Sequence, residues 1–122
     1  MSAAPESARD LLRMARTVLA RADPETAGLW PRTSALLACR AIESTVDRFW
    51  ERHALDLRGC PMRVHLIFMR AYLGDADLAS RAGHAWSGLL RACHHHAYEL
   101  APTAAELRDW LSVVDELVAR ND

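Results

Sequence analysis

The sequence predicts an all-α fold, an up-and-down bundle of four to five helices, on three observations. Apolar residues recur at i, i+3, i+4 and i+7 along nearly the whole chain. No segment alternates apolar and polar residues over the length of a strand. Helix breakers fall between the periodic segments: Asp23-Pro24, Gly59 with Pro61, Gly74-Asp75 and Pro102. The 122 residues fit one domain, residues 1–122, without repeat, linker or low-complexity tract, and at 51% hydrophobic and 25% charged the chain can bury a core unaided.

Each helix follows from its own pattern. The first is expected from about Pro5 to Ala22, with Leu11, Leu12, Ala15, Val18, Leu19 and Ala22 on one face and Arg9, Asp10, Arg13 and Arg16 on the other. Pro5 suits a first helical turn, and the residue before Pro24 is pushed out of the α region. The second runs from about Pro31 to Ala54 with a stripe of Ala35, Ala38, Cys39, Ile42, Val46, Phe49, Trp50 and His53. The third, Pro61 to Leu73, is apolar nearly all round apart from Arg63, His65 and Arg70, which predicts a central place in the bundle. Gly74 is a natural C-terminal stop and Asp75 a natural cap for the fourth helix, read from about Asp75 to Tyr98. Thr103 and Glu106 form a capping box that opens the fifth, whose stripe is Leu107, Trp110, Leu111, Val114 and Val118. Short connections favour antiparallel neighbours.

Charge and cysteine usage narrow the function classes. With 15 basic and 16 acidic residues the net charge is −1, so bulk attraction to nucleic acid or membrane is not expected and any phosphate contact needs a local patch. Every basic residue is arginine, whose planar fork binds phosphate in a bidentate way. Cys39, Cys60 and Cys93 are odd in number and widely spaced, which fits reduced thiols in a cytoplasmic protein. The N-terminus has no basic segment followed by an apolar run, and no apolar stretch is long enough to span a bilayer, so neither a leader nor a membrane association is expected.

Chemistry concentrates in residues 91–98, Arg-Ala-Cys-His-His-His-Ala-Tyr. Arg91 is followed after four residues by His96 and then by Tyr98. An imidazole with an ordinary pKa near 6.5 can accept or deliver a proton, and a guanidinium can stabilise a charged phosphorane. At about 100° per residue, Arg91, His94, His95 and Tyr98 share a face with Asp77, Ser80, His84 and Ser87. The opposite, apolar face holds Leu78, Ala82, Trp86, Leu89, Cys93, Ala97 and Leu100, with His96 at its edge. On a straight helix His95, at i+4, lies closest to Arg91, so His95 is the alternative to His96. The three consecutive histidines diverge and cannot converge on one ion, and no Cys–His spacing matches a zinc pattern, so neither metal nor cofactor is expected.

This pattern resembles the motif of the HEPN ribonuclease superfamily, an Arg followed after four to six residues by His. The His-x-Tyr ending is similar to the subgroup paired with small nucleotidyltransferases in toxin–antitoxin systems. The detailed resemblance covers about residues 85–118. It implies a HEPN-like helical bundle and a metal-independent endoribonuclease, with Arg91, His96 and Tyr98 as site residues. It also implies a homodimer that brings two copies of the motif to one dyad, an RNA substrate and a nucleotidyltransferase antitoxin that attaches AMP to Tyr98. Ala92 stands where many members of the family carry Asn, Asp or His. The other reading is a non-catalytic helical module that binds a nucleotide or docks a nucleotidyltransferase partner.

Overall fold

The computed structural model describes residues 7–21, 30–53, 56–94 and 100–121. Among them the chain forms five helices and no strand: α1 (Ala8–Ala20), α2 (Trp30–Arg52), α3 (Met62–Leu73), α4 (Ala76–Cys93) and α5 (Ala104–Arg120). The all-α expectation holds. Four helices close a ring in which α1 packs on α2, α2 on α4, α4 on α5 and α5 on α1, with α2 and α5 also touching across the centre.

Side-chain pairings fix the helix directions. Ser34 Oγ, at the start of α2, donates to Ala15 O near the end of α1 at 3.0 Å. Ala8 lies instead beside Thr45 and Arg48, further along α2, so the two helices run antiparallel. Arg81 pairs with Glu116 and Arg120 with Asp75, which sets α4 antiparallel to α5. Cys39 meets Cys93 while Trp86 lies near Val46, so α2 and α4 are antiparallel as well. The four-helix core is therefore up-and-down.

Its interior is built from Ile42, Leu89, Leu107, Leu111, Val114 and Leu117, interleaved with Ala15, Ala35, Ala38, Ala41, Ala82 and Ala85. A fully buried leucine contributes about 2 kcal/mol, whereas solvent-screened pairs such as Arg13–Asp10 and Arg81–Asp77 contribute little. Apolar burial, not surface charge, holds the bundle.

Helix ends follow the chemistry read from the sequence. Ser7 accepts from Asp10 N–H at 3.1 Å and caps α1. Gly74 ends α3 with φ of 66°, a conformation that glycine adopts without strain. Asp75 then accepts from Leu78 N–H at 3.0 Å to cap α4. That hydrogen bond, with the nearby Arg120 guanidinium, holds the Asp75 carboxyl below its ordinary value. Arg120 also donates to Leu73 O at 3.2 Å, so α5 clasps the α3–α4 turn. Thr103 and Glu106 make the reciprocal capping box.

The third helix departs from expectation. It is peripheral, packed on α4, and it buries only His65, Leu66 and Met69. Ile67 is 62% exposed, Phe68 50% and Tyr72 49%. The physical reason lies in the other four helices. Their alanine-rich faces close on one another and leave no central slot, so a twelve-residue helix can only cover an outer groove.

Smaller corrections accompany it. His53, placed on the buried stripe of α2, is exposed and stacks on Phe49 with ring centroids 4.1 Å apart. Val18, Trp86 and Trp110 are half-buried, while Leu117 joins the core of α5. The regular fourth helix ends at Cys93 rather than Tyr98, and Leu100, assigned to its apolar face, is 98% exposed. Ala22 and Ala54, expected at helix ends, lie outside the described residues.

Two glycines on α4 give a paired test of this packing. A Cβ at Gly88 would lie 2.4 Å from Trp110 Cζ2, whereas one at Gly83 would meet nothing within 4 Å. Gly88→Ala is expected to lower stability by about 1–3 kcal/mol through overpacking. Gly83→Ala is expected to raise it by about 0.5–1 kcal/mol through helix propensity. Urea unfolding of both variants checks this, and equal effects would contradict the α4–α5 packing described.

Candidate functional site

Arg91 stands in the last turn of α4 and is exposed. Its neighbour Ala92 is 3% exposed and belongs to the core, so consecutive residues face opposite ways. His94 caps the helix, its backbone N–H donating to Leu90 O at 3.2 Å, and it too is exposed. His95, His96 and Tyr98 lie outside the described residues. Of the predicted site, the structure therefore places Arg91 alone, at the C-terminal end of a helix in the four-helix ring. No ion pair engages Arg91 among the described residues.

The polar face of α4 is as the helical wheel gave it. Asp77, Ser80, His84, Ser87, Arg91 and His94 are all exposed. Ser80 and Ser87 form one wall of a groove of about 350 Å³ between α3 and α4, with Arg63 and Arg70 opposite and Leu90 at the end adjoining Arg91. Leu66, Gly83 and Trp86 complete its floor, and among the described residues no acidic side chain lines it. In a chain of net charge −1 this is a local concentration of positive potential. The sequence carried a signal for it: the third helix, Met62–Leu73, contains two arginines seven residues apart and no acid.

A second cleft, of about 390 Å³, has the opposite character, with Asp47, Glu51 and Asp56 on its walls beside Trp50 and His65. Arg58 donates to both carboxylate oxygens of Asp56 at 2.9 Å, which lowers the Asp56 pKa to about 2 and spends the charge of Arg58 locally. His65 is 8% exposed; its Nε2 donates to Cys60 O at 3.1 Å and leaves Nδ1 without a partner. The Trp50 Nε1–H is equally unpartnered. A polar pair buried between helices is the feature that sequence reading missed, because His65 stood out only as an interruption of an apolar pattern.

The cysteines give a third cluster. Cys39 of α2 and Cys93 of α4 place their sulfurs 3.9 Å apart, although 54 residues separate them, while Cys60 is exposed. The Cys39 thiol is pushed up, first by its hydrogen bond to Cys93 and then by burial. Cys93 moves down, stabilised by that same hydrogen bond and, more weakly, by the Arg32 charge. The two sulfurs thus form one S–H···S contact across the α2–α4 interface.

Among the described residues no group of three His, Cys, Asp or Glu side chains is placed to hold a metal ion, and no helix is long and apolar enough to cross a membrane.

Residues 91 and 92 can be separated experimentally. Arg91→Ala is expected to change stability by less than about 0.5 kcal/mol, since an exposed side chain is lost. Ala92→Asn is expected to cost roughly 2 kcal/mol or more, since an amide enters a packed apolar site. Thermal unfolding reads both. An Ala92→Asn protein as stable as the parent would contradict the orientation of this turn.

Comparison with known protein families, with curated proteins and with solved structures finds no match for this chain.

Proposed function

We propose that this protein is a HEPN-like, metal-independent endoribonuclease that acts as a homodimer, with Arg91 and His96 of both copies lining one shared cleft. The observation that carries the reading is Arg91 itself. The motif Arg-x4-His-x-Tyr begins on an exposed guanidinium, without an ion pair among the described residues, in the last turn of a bundle helix with a further helix after it. An arginine so placed is available to a phosphodiester, and the acid-free groove with Arg63 and Arg70 that adjoins it suits the backbone of an RNA chain. The acid-walled cleft at Trp50 does not.

The chemistry asks for a base, an acid and a counter-charge. A ribose 2′-oxygen attacks the adjacent phosphorus while one imidazole takes its proton. The bond to the 5′-oxygen breaks as a second imidazole supplies a proton, leaving a 2′,3′-cyclic phosphate and a free 5′-hydroxyl. Arginine neutralises the charge that builds on the phosphorane. One motif holds one such histidine at position 96, and a two-fold axis supplies the other. Exposed Ile67, Phe68, Tyr72 and Leu90 on α3 and α4 give apolar surface for association. His95 is the alternative to His96. Tyr98 follows the family subgroup as the residue to which a nucleotidyltransferase antitoxin attaches AMP.

A second reading is favoured by Ala92. Its side chain belongs to the core and cannot supply the polar contact that many family members place after the arginine. In that reading the bundle is a non-catalytic module that holds a nucleotide or docks a nucleotidyltransferase.

Incubation of purified protein with single-stranded RNA in EDTA separates the two. Cleavage to cyclic-phosphate ends is expected, and Arg91→Ala or His96→Ala should slow it by roughly 100-fold or more. Cleavage that survives both changes overturns the mechanism. Nucleotide or RNA binding without any cleavage supports the module.

A further inference from the structure

Two groups that the proposed chemistry leaves unused lie within reach of each other. Cys39 projects from a core position on α2, and Cys93 closes the last turn of α4, two residues beyond Arg91. Both are free thiols, with sulfurs 3.9 Å apart. A disulfide has an S–S bond of about 2.05 Å, so the gap still to close is about 1.9 Å, within the range of side-chain rotation and a slight shift of one helix end. Cys93 is the last residue of α4.

We propose that Cys39 and Cys93 form a peroxide-reactive dithiol, with Cys93 as the attacking and Cys39 as the resolving sulfur, whose oxidation ties the Arg91 turn of α4 to α2. The division of labour follows from position. Cys93 is half-buried, whereas Cys39 is 4% exposed. Arg32 adds positive charge at Cys93, which favours thiolate at the more accessible of the two sulfurs. Glu43 opposes this weakly.

The steps balance. The Cys93 thiolate attacks one oxygen of hydrogen peroxide, the O–O bond breaks, and Cys93 sulfenic acid and hydroxide result. The sulfur of Cys39 then attacks the sulfenic sulfur, the S–O bond breaks, and the thiol proton leaves with the departing hydroxyl as water. Two thiols are oxidised, one peroxide is reduced, and two waters form once the first proton is counted. A dithiol reductant reverses the bond. The link joins positions 54 residues apart and restricts the unfolded chain, so the oxidised form should melt higher than the reduced one. This inference stands apart from RNA cleavage, because its readouts are covalent and thermal.

The test uses the full chain carrying Cys60→Ser, which removes the exposed third thiol. In the reduced native protein, iodoacetamide should alkylate Cys93 about tenfold or more faster than Cys39. After a small excess of hydrogen peroxide, unfolding and alkylation, the expected intact mass is the parent's less two hydrogen atoms, with neither cysteine alkylated. Proteolysis should yield one peptide pair joined through Cys39 and Cys93, and dithiothreitol should restore both thiols. Cys39→Ser should leave Cys93 as a sulfenic acid that a dimedone probe traps. Both cysteines remaining alkylatable after peroxide, or oxidation that joins separate molecules instead, would overturn the proposal. Should Cys39→Ser not fold, the mass and peptide results of the Cys60→Ser protein decide alone.

Discussion

The close approach of α4 to its neighbours governs where every group of interest stands. Ala79, Ala82, Ala85, Gly88 and Ala92 are the small buried residues of this helix, and they let it lie against α2, α3 and α5 at once. At Gly88 the indole of Trp110 comes so near that no side chain fits between them. With that face committed inward, Cys93 is turned toward Cys39 and Arg91 is turned outward. Packing of uncharged, mostly tiny residues thus aims the charged and reactive ones.

The same constraint explains what the sequence did and did not reveal. Helix number, the two caps at Asp75 and Thr103 and the stop at Gly74 were legible, because each depends on residues within four positions of one another. Most of the α2 and α5 stripes was legible for the same reason, apart from His53, Trp110 and Leu117. The place of α3 was not. A run such as Val64-His65-Leu66-Ile67-Phe68-Met69 states that a surface is apolar, yet whether it is covered depends on how much room other helices leave. Nor could spacing show that Cys39 and Cys93 meet, since their proximity is a product of tertiary packing across 54 residues. Of the site, the sequence supplied a motif and the wheel correctly set Arg91 outward and Cys93 inward. It extended the helix past its true end, because the apolar repeat at Ala97 and Leu100 outlasts the helix that ends at Cys93.

Chemistry and fold meet at the end of α4. An arginine emerges where the helix stops, histidines follow at the cap and beyond, and an acid-free groove runs from α3 to the same point. For the RNA cleavage we propose, a single copy offers one guanidinium and one motif histidine where two proton transfers and a counter-charge are needed. That deficit is the reason for invoking a second copy, and it is also what distinguishes a nuclease from a bundle that only binds. The dithiol beside Arg91 would let the oxidation state of the protein act on this same turn, without adding any group to the chemistry itself.

The shared cleft is tested most directly by the dependence of RNA cleavage on protein concentration, followed through the range where sedimentation shows the oligomer dissociating. The account predicts a rate per chain that falls on dilution in step with loss of the dimer. A rate per chain that stays constant while the protein is monomeric would contradict it.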